Sequence, residues 1–128
     1  MDGLLPFPAH DLSAAAQMIF LLAAGHVLMD FPLQGEFLAQ GKSRRHLVQL
    51  NDPSRPPSMW ITCMTAHCLL HAAAVWIITG CVLLGCVEFV LHAIIDTLRC
   101  EGLTTFNRDQ FLHLACKIGY VGIAPLVS

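Results

Sequence analysis

The sequence has few charged residues. Asp, Glu, Lys and Arg make up 12% of its 128 residues, about half of the roughly 25% found in soluble domains. Apolar residues make up 55%, and the mean hydropathy is +0.63. This shortage of charge argues against an ordinary soluble domain and indicates that lipid is the main solvent around the chain.

An excess of positive charge is also missing. The net charge is −2 with histidine neutral, so no broad basic surface favours specific nucleic-acid binding. The first residues, MDGLLPFPAHDL, lack the basic region that begins a cleavable signal peptide. We therefore expect the first apolar run to be a permanent membrane span.

The six cysteines form no CxxC pair. This spacing excludes a zinc ribbon and does not resemble a disulfide framework. Most of them lie inside apolar runs, so we interpret them as reduced, small apolar side chains. Their positions are Cys63, Cys68, Cys81, Cys86, Cys100 and Cys116.

Long apolar segments are what the sequence does have. A membrane-spanning helix needs about 20 predominantly apolar residues, and four segments approach that length. We predict an all-α fold, a four-helix transmembrane bundle forming one integral membrane domain over 1–128. Its predicted spans cover about 12–31, 59–79, 82–99 and 106–126.

Glycine, proline and polar residues separate these segments. The second and third share one continuous apolar run, with Gly80 as the expected turn and Gly85 as the alternative. Between the first and second spans, 34–58 is predicted to be an interfacial loop. It contains a short helix around 36–50 and a stop at 51–57.

Basic residues collect in the first and third connections between spans. Cytoplasmic loops are enriched in Lys and Arg, so this pattern predicts both termini on the non-cytoplasmic side of the membrane. The residues are Lys42, Arg44, Arg45, Arg55, Arg99 and Arg108.

Each predicted span also carries two ionisable residues spaced i, i+4. Residues four apart share one helix face, about 6 Å apart along the axis. Given the predicted directions of the helices, all four pairs fall in the cytoplasmic half of the bilayer and form one polar His/Asp cluster. The pairs are His26 and Asp30, His67 and His71, His92 and Asp96, and Asp109 and His113.

Such residues are costly in a bilayer unless they are paired, hydrated or bound to metal. Inward-facing His and carboxylate side chains are also how helical bundles build metal sites. Eight candidate ligands suit two metal ions, or one ion with outer-shell partners. We predict a divalent metal, up to two ions per chain, as Zn, Mn or Fe. A hydrogen-bonded proton relay is the alternative for any single pair.

Polar residues around the pairs supply further candidates. Glu88 and Asp109 are candidate catalytic bases. Cations and amides in the adjoining loops are candidate substrate contacts, because they can hold a phosphate; the alternative is contact with lipid headgroups. These contacts are Gln34, Lys42, Arg44, Arg45, Arg99 and Gln110. His10 and His46 are interpreted as solvated loop residues.

The order of these motifs resembles an uncharacterised bacterial and phage membrane family, domain of unknown function 3307. The resemblance rests on HVLMDFPLQ, then Lys42, HCLLH, HAIIDTLR and DQFLH, from Gly25 to His113. Arg99 stands where the family usually has lysine. The resemblance implies a membrane protein but no activity. A more distant likeness to membrane proteins described as metal-dependent hydrolases is an analogy.

The leading functional hypothesis is a membrane-embedded, metal-dependent hydrolase. It would act at the cytoplasmic face on a phosphoester or phosphoanhydride, in a lipid-linked phosphate or a nucleotide. The alternatives are a di-iron oxygen-activating enzyme, a small ion- or proton-coupled transporter, and a regulator with a structural metal. The expected partners are the lipid bilayer and a small phosphorylated substrate, with a homo-oligomer left open.

Overall fold

The computed structural model describes residues 11–127, and this part of the chain contains helices and no strand. Four helices are long and two are short. In chain order they are α1 (Leu12–Asp30), α2 (Gly35–Gly41), α3 (Arg44–Leu50), α4 (Met59–Thr79), α5 (Val82–Cys100) and α6 (Phe106–Val127). The four long helices coincide with the predicted segments to within one residue at each end.

The ends of the long helices follow local signals in the sequence. The carboxylate of Asp11 accepts a hydrogen bond from the backbone N–H of Ala14 at 2.7 Å and caps α1. Gly80 ends α4 with φ +70°, which favours glycine. The turn is therefore at Gly80, as predicted. The alternative, Gly85, lies inside α5.

The segment between α1 and α4 contains two short helices where the sequence predicted one. The break falls at Ser43, whose hydroxyl accepts from the backbone N–H of His46 at 3.2 Å and begins α3. Asn51, with φ +50°, ends α3 at the predicted stop. The short polar motif GKS favours a local cap over a continuous helix.

The long helices form an antiparallel ring in which α1 packs against α4, α4 against α5, α5 against α6, and α6 against α1. The short connections from α4 to α5 and from α5 to α6 make these neighbours antiparallel, and the longer segment that contains α2 and α3 joins α1 to α4. One half of the interior is apolar and is built around Met18, Leu22, Val75, Leu84 and Val121. The other half is polar, and α2 and α3 lie against it.

Three helices, α1, α4 and α6, are long and apolar enough to cross a membrane by length and composition. This is the composition of a membrane protein, as predicted. Three helices meet this description where the sequence predicted four, because α5 does not. It carries three charged residues, Glu88, Asp96 and Arg99, within 19 residues.

Candidate metal centre

The eight residues of the four predicted pairs meet in the polar half of the bundle. Seven of them are buried, and the Asp30 side chain retains 10% of its exposure. Because each pair occupies one face of its helix, the antiparallel ring turns all four faces inward at the same level. The cluster contains five imidazoles and three carboxylates: His26, Asp30, His67, His71, His92, Asp96, Asp109 and His113.

Asp96 and Asp30 each contact imidazoles of the cluster through both oxygens, and one oxygen of each also accepts a hydrogen bond from a neighbouring Lys or Gln. Asp96 Oδ2 accepts from Lys42 Nζ at 2.5 Å, while Oδ1 lies 3.2 Å from His113 Nε2. Asp30 Oδ2 accepts from Gln110 Nε2 at 3.1 Å, while Oδ1 lies 2.9 Å from His71 Nε2. Lys42 and Gln110 therefore orient these carboxylates, whose Oδ2 atoms also lie 3.2 Å from His67 Nε2 and 3.3 Å from His26 Nε2, respectively.

Asp109 has one oxygen that is not engaged in this way. Its Oδ2 accepts from Gln110 Nε2 at 3.1 Å. Its Oδ1 is buried without a hydrogen-bond partner and lies 3.7 Å from His113 Nε2. A buried, unpaired carboxylate oxygen is costly and calls for a donor or a cation.

The imidazoles converge through their Nε2 atoms. His67 Nε2 lies 3.1 Å from His92 Nε2 and 3.4 Å from Asp30 Oδ1. The rings of His71 and His92 stack with centroids 3.7 Å apart. His92 Nδ1 lies 3.0 Å from Glu88 Oε1. If Nδ1 donates to this carboxylate, the lone pair of a neutral His92 points from Nε2 into the cluster.

Three overlapping groups of ligand atoms are close enough to hold a metal ion, with the atoms of each group within 4.8 Å of one another. The first contains Asp30, His67, His71 and His92. The second contains His26, His92 and His113, and the third contains Asp96, Asp109 and His113. Together these groups contain all eight predicted ligands. These residues could therefore hold a divalent cation, as the sequence predicted.

Charge balance supports the same conclusion. The interior of the described bundle contains four carboxylates and two ammonium groups, Lys42 and Lys117. With the imidazoles neutral, two negative charges remain uncompensated. In a low-dielectric interior such charges need positive charge nearby, which a divalent ion would supply.

A second buried polar layer lies beneath the cluster, and the sequence interpretation missed most of it. Glu88 accepts hydrogen bonds from Lys117 Nζ and, at 2.7 Å, from the hydroxyl of Tyr120, in addition to its contact with His92. Lys117 is a buried charged residue of α6. Its i, i+4 spacing from His113 was the available signal, because it places Lys117 on the same inward face.

A cavity of about 480 Å³ opens beside the cluster, between the ends of α1, α5 and α6 and the α2–α3 segment. Asp30, Asp96 and Asp109 lie in its wall. Four predicted substrate contacts also line it: Gln34, Lys42, Arg99 and Gln110. Glu88 does not, although it was a candidate base.

The other two predicted contacts lie elsewhere. Arg44 is exposed and does not line the cavity. Arg45 Nη1 donates to the carbonyl oxygen of Glu101 at 3.0 Å and ties α3 to the end of α5. His46 does line the cavity and has a buried, unpaired Nε2, so it is not a solvated residue. His10 lies outside the described residues.

The cysteines are free, as the sequence predicts. Cys63, Cys68 and Cys81 are buried, Cys86 is exposed, and the other two are partly buried. None belongs to the groups that could hold a metal. The centre therefore contains only nitrogen and oxygen ligands.

No family model, curated protein or solved structure matches this chain. The resemblance to domain of unknown function 3307 therefore stays a prediction. The function has to be inferred from the site itself.

Proposed function

We propose that this protein is a membrane-embedded, divalent-metal-dependent hydrolase. It would cleave a phosphoester or phosphoanhydride at the cytoplasmic face of a bacterial inner membrane. One observation carries the proposal: a buried cluster of five imidazoles and three carboxylates has its three carboxylates in the wall of a cavity. A purely structural metal site needs no such opening.

We further propose that α5 crosses the membrane with the other three long helices. Its charged residues Glu88 and Asp96 are buried, so they lower its mean hydropathy without facing lipid. Its outer face is apolar: Val82 and Leu83 are both 56% exposed, and Ile94 is 51% exposed. Only Arg99, at the cavity end, is a charged and exposed residue of this helix.

The basic residues support the proposed orientation. Both basic connections lie at the same end of the bundle as the cavity, because α1 and α5 end there and α4 and α6 begin there. Positive residues favour the cytoplasm. The cavity would therefore open toward cytoplasmic solutes and the inner leaflet, with both termini on the other side.

A divalent ion in this centre would supply a Lewis acid and hydroxide near neutral pH. The residues of the chain would do the rest. Arg99 can hold phosphate oxygens in bidentate fashion from the cavity rim. Gln34 donates through Nε2 to the Asp30 carbonyl oxygen at 3.1 Å, and its Oε1 has no partner. That oxygen is available to orient a water or a substrate hydroxyl.

The two candidate bases, Glu88 and Asp109, differ in their position relative to the cavity. Of the two, only Asp109 lines the cavity and has an unpaired oxygen, so it is the one that meets a metal ion and the water bound to it. Glu88 has three polar partners and lies outside the cavity wall. We assign it to positioning His92.

The proposal is tested by elemental analysis of detergent-purified protein, followed by hydrolysis assays with p-nitrophenyl phosphate, a nucleoside triphosphate and a short-chain lipid phosphate. We expect bound divalent metal and release of product from at least one substrate, abolished by a chelator. Coloured iron with oxygen consumption would replace the hydrolase with an oxygen-activating enzyme. A reconstituted protein that binds no metal would indicate an ion or proton relay.

Matched variants test the ligand assignment. His67→Ala and Asp96→Ala remove groups from the cluster and should lower the metal content. Lys42→Ala should retain more metal than either of these variants, because Lys42 contacts Asp96 and His67 but belongs to none of the ligand groups. Equal metal retention in all three variants would show that the assignment is wrong.

A further inference from the structure

We infer that the centre holds two divalent ions in unequal sites. The first, the closed site, consists of Asp30, His67, His71 and His92. The second, the open site, consists of Asp96, Asp109 and His113 and faces the cavity. This inference rests on the proposed metal centre and assigns its residues to separate ions.

The two sites share no residue, although both belong to one cluster. The atoms of each lie within 4.8 Å of one another. The closed site draws its ligands from α1, α4 and α5, and the open site draws its ligands from α5 and α6. His26 groups with His92 and His113, one residue from each site, and therefore lies between the sites.

The closed site has a complete set of four ligands. Asp30 Oδ1 lies 2.9 Å from His71 Nε2 and 3.4 Å from His67 Nε2. His92 Nε2 lies 3.1 Å from His67 Nε2. None of the three imidazoles lines the cavity. Asp30 reaches the cavity wall, but a full set of four protein ligands leaves no coordination position for water, as in a structural zinc site.

The open site has three ligands and access to solvent. Its two carboxylates, Asp96 and Asp109, line the cavity, and His113 lies behind them, 1% exposed. Asp109 Oδ1 is the buried oxygen without a hydrogen-bond partner. Three protein ligands beside a cavity leave a coordination position for water or substrate, as in catalytic metal sites.

The chemistry of the two ligand sets also differs. The closed site offers three nitrogens and one oxygen, which suits zinc, whereas the open site offers one nitrogen and two carboxylates, which suits a harder cation such as manganese or magnesium. We therefore expect the closed site to retain zinc and the open site to exchange its ion more readily.

Two single variants separate the sites. Purified protein is loaded with Zn²⁺ and Mn²⁺, dialysed, and analysed for each metal per chain. Wild type should hold about two ions. His71→Ala should lose mainly zinc, and Asp109→Ala should lose mainly manganese. His46→Ala, a histidine beside the cavity but outside both sites, should keep both ions. A Co²⁺-loaded sample should show intense tetrahedral absorption that Asp109→Ala retains and His71→Ala loses.

The outcomes that would overturn this inference are a single ion per wild-type chain, or the loss of both ions in both folded variants. If His71→Ala fails to fold, Asp30→Asn makes the same test with a smaller change in volume. A failure of the hydrolase proposal is distinguishable from these results. Two ions divided as expected, in a protein that cleaves no phosphate ester, would refute the function and leave the two sites intact.

Discussion

Glu88 is one carboxylate whose role changes between sequence and structure. In the sequence it lies one helical turn before His92 on an apolar segment, which made it a candidate base. In the structure it is 1% exposed and contacts His92, Lys117 and Tyr120. Carboxylates that bond the second nitrogen of a metal-ligating histidine fix the orientation and tautomer of its ring.

We predict that Glu88→Gln weakens divalent-metal binding by about 10- to 100-fold, the usual effect of removing such an outer partner. The affinity is measured by competition with a chromogenic chelator. Tyr120→Phe, which removes one hydrogen bond but keeps the carboxylate, should have a smaller effect.

A double variant separates positioning from stability. Glu88→Gln leaves the buried ammonium of Lys117 without its carboxylate, which is destabilising by itself. Glu88→Gln combined with Lys117→Met removes both charges and should recover thermal stability without recovering metal affinity. Full recovery of the affinity would show that Glu88 acts only through the fold.

The packing of α4 against α5 depends on one glycine. A Cβ at Gly85 would lie 2.9 Å from the carbonyl oxygen of Ala72 and 3.1 Å from the Cβ of Trp76. Because the carbonyl oxygen of Ala72 belongs to the backbone, it cannot rotate away from an added Cβ. This close approach helps to bring the inward faces of the two helices together, and with them His71 and His92.

We therefore predict that Gly85→Ala destabilises the protein by about 1–3 kcal/mol through overpacking, partly offset by the better helix propensity of alanine. Gly119→Ala is the matched control, because a Cβ at this glycine in α6 would meet no atom within 4 Å. Thermal unfolding in detergent should show a lower Tm for the first variant only. A similar Tm for the two variants would contradict the close packing of α4 against α5 at Gly85.

For the whole molecule, metal and stability should be linked. The cluster concentrates uncompensated negative charge and converging lone pairs between all four long helices. A cation that binds only the folded bundle stabilises it by about 2.7 kcal/mol when its concentration is 100 times the Kd. We predict that a chelator lowers the Tm and that Zn²⁺ restores it. If a sample that has lost its metal keeps the same Tm, the metal centre does not stabilise the packed helices, and this prediction is wrong.

The proposed membrane topology makes a separate prediction. Four spans place both termini away from the cytoplasm and the α2–α3 segment within it. Alkaline phosphatase fused after residue 128 should be active, whereas a green fluorescent protein inserted near Arg55 should fluoresce. If α5 does not cross the membrane, the C-terminal phosphatase should be inactive.

The sequence by itself determined the positions of the long helices and the identity of the clustered residues. Both follow from local properties: apolar runs of spanning length set the helices, and i, i+4 spacing puts each pair on one face. The turn at Gly80 and the stop at Asn51 are equally local. The apolar character of α5 is not local in the same way, because hydropathy does not distinguish an inward-facing charge, such as Glu88 or Asp96, from one that faces lipid.

Only the tertiary structure decided which residues share a ligand group, which oxygen of each carboxylate is engaged, and which side of the cluster meets the cavity. These properties depend on the order and rotation of the helices around the ring. No single segment of the sequence determines that order or rotation. The same dependence explains Lys117 and Tyr120, which lie beside Glu88 only because α6 packs antiparallel to α5. It also explains why Arg44 and Arg45 lie outside the cavity wall, although they directly follow the wall residues Lys42 and Ser43 in the sequence.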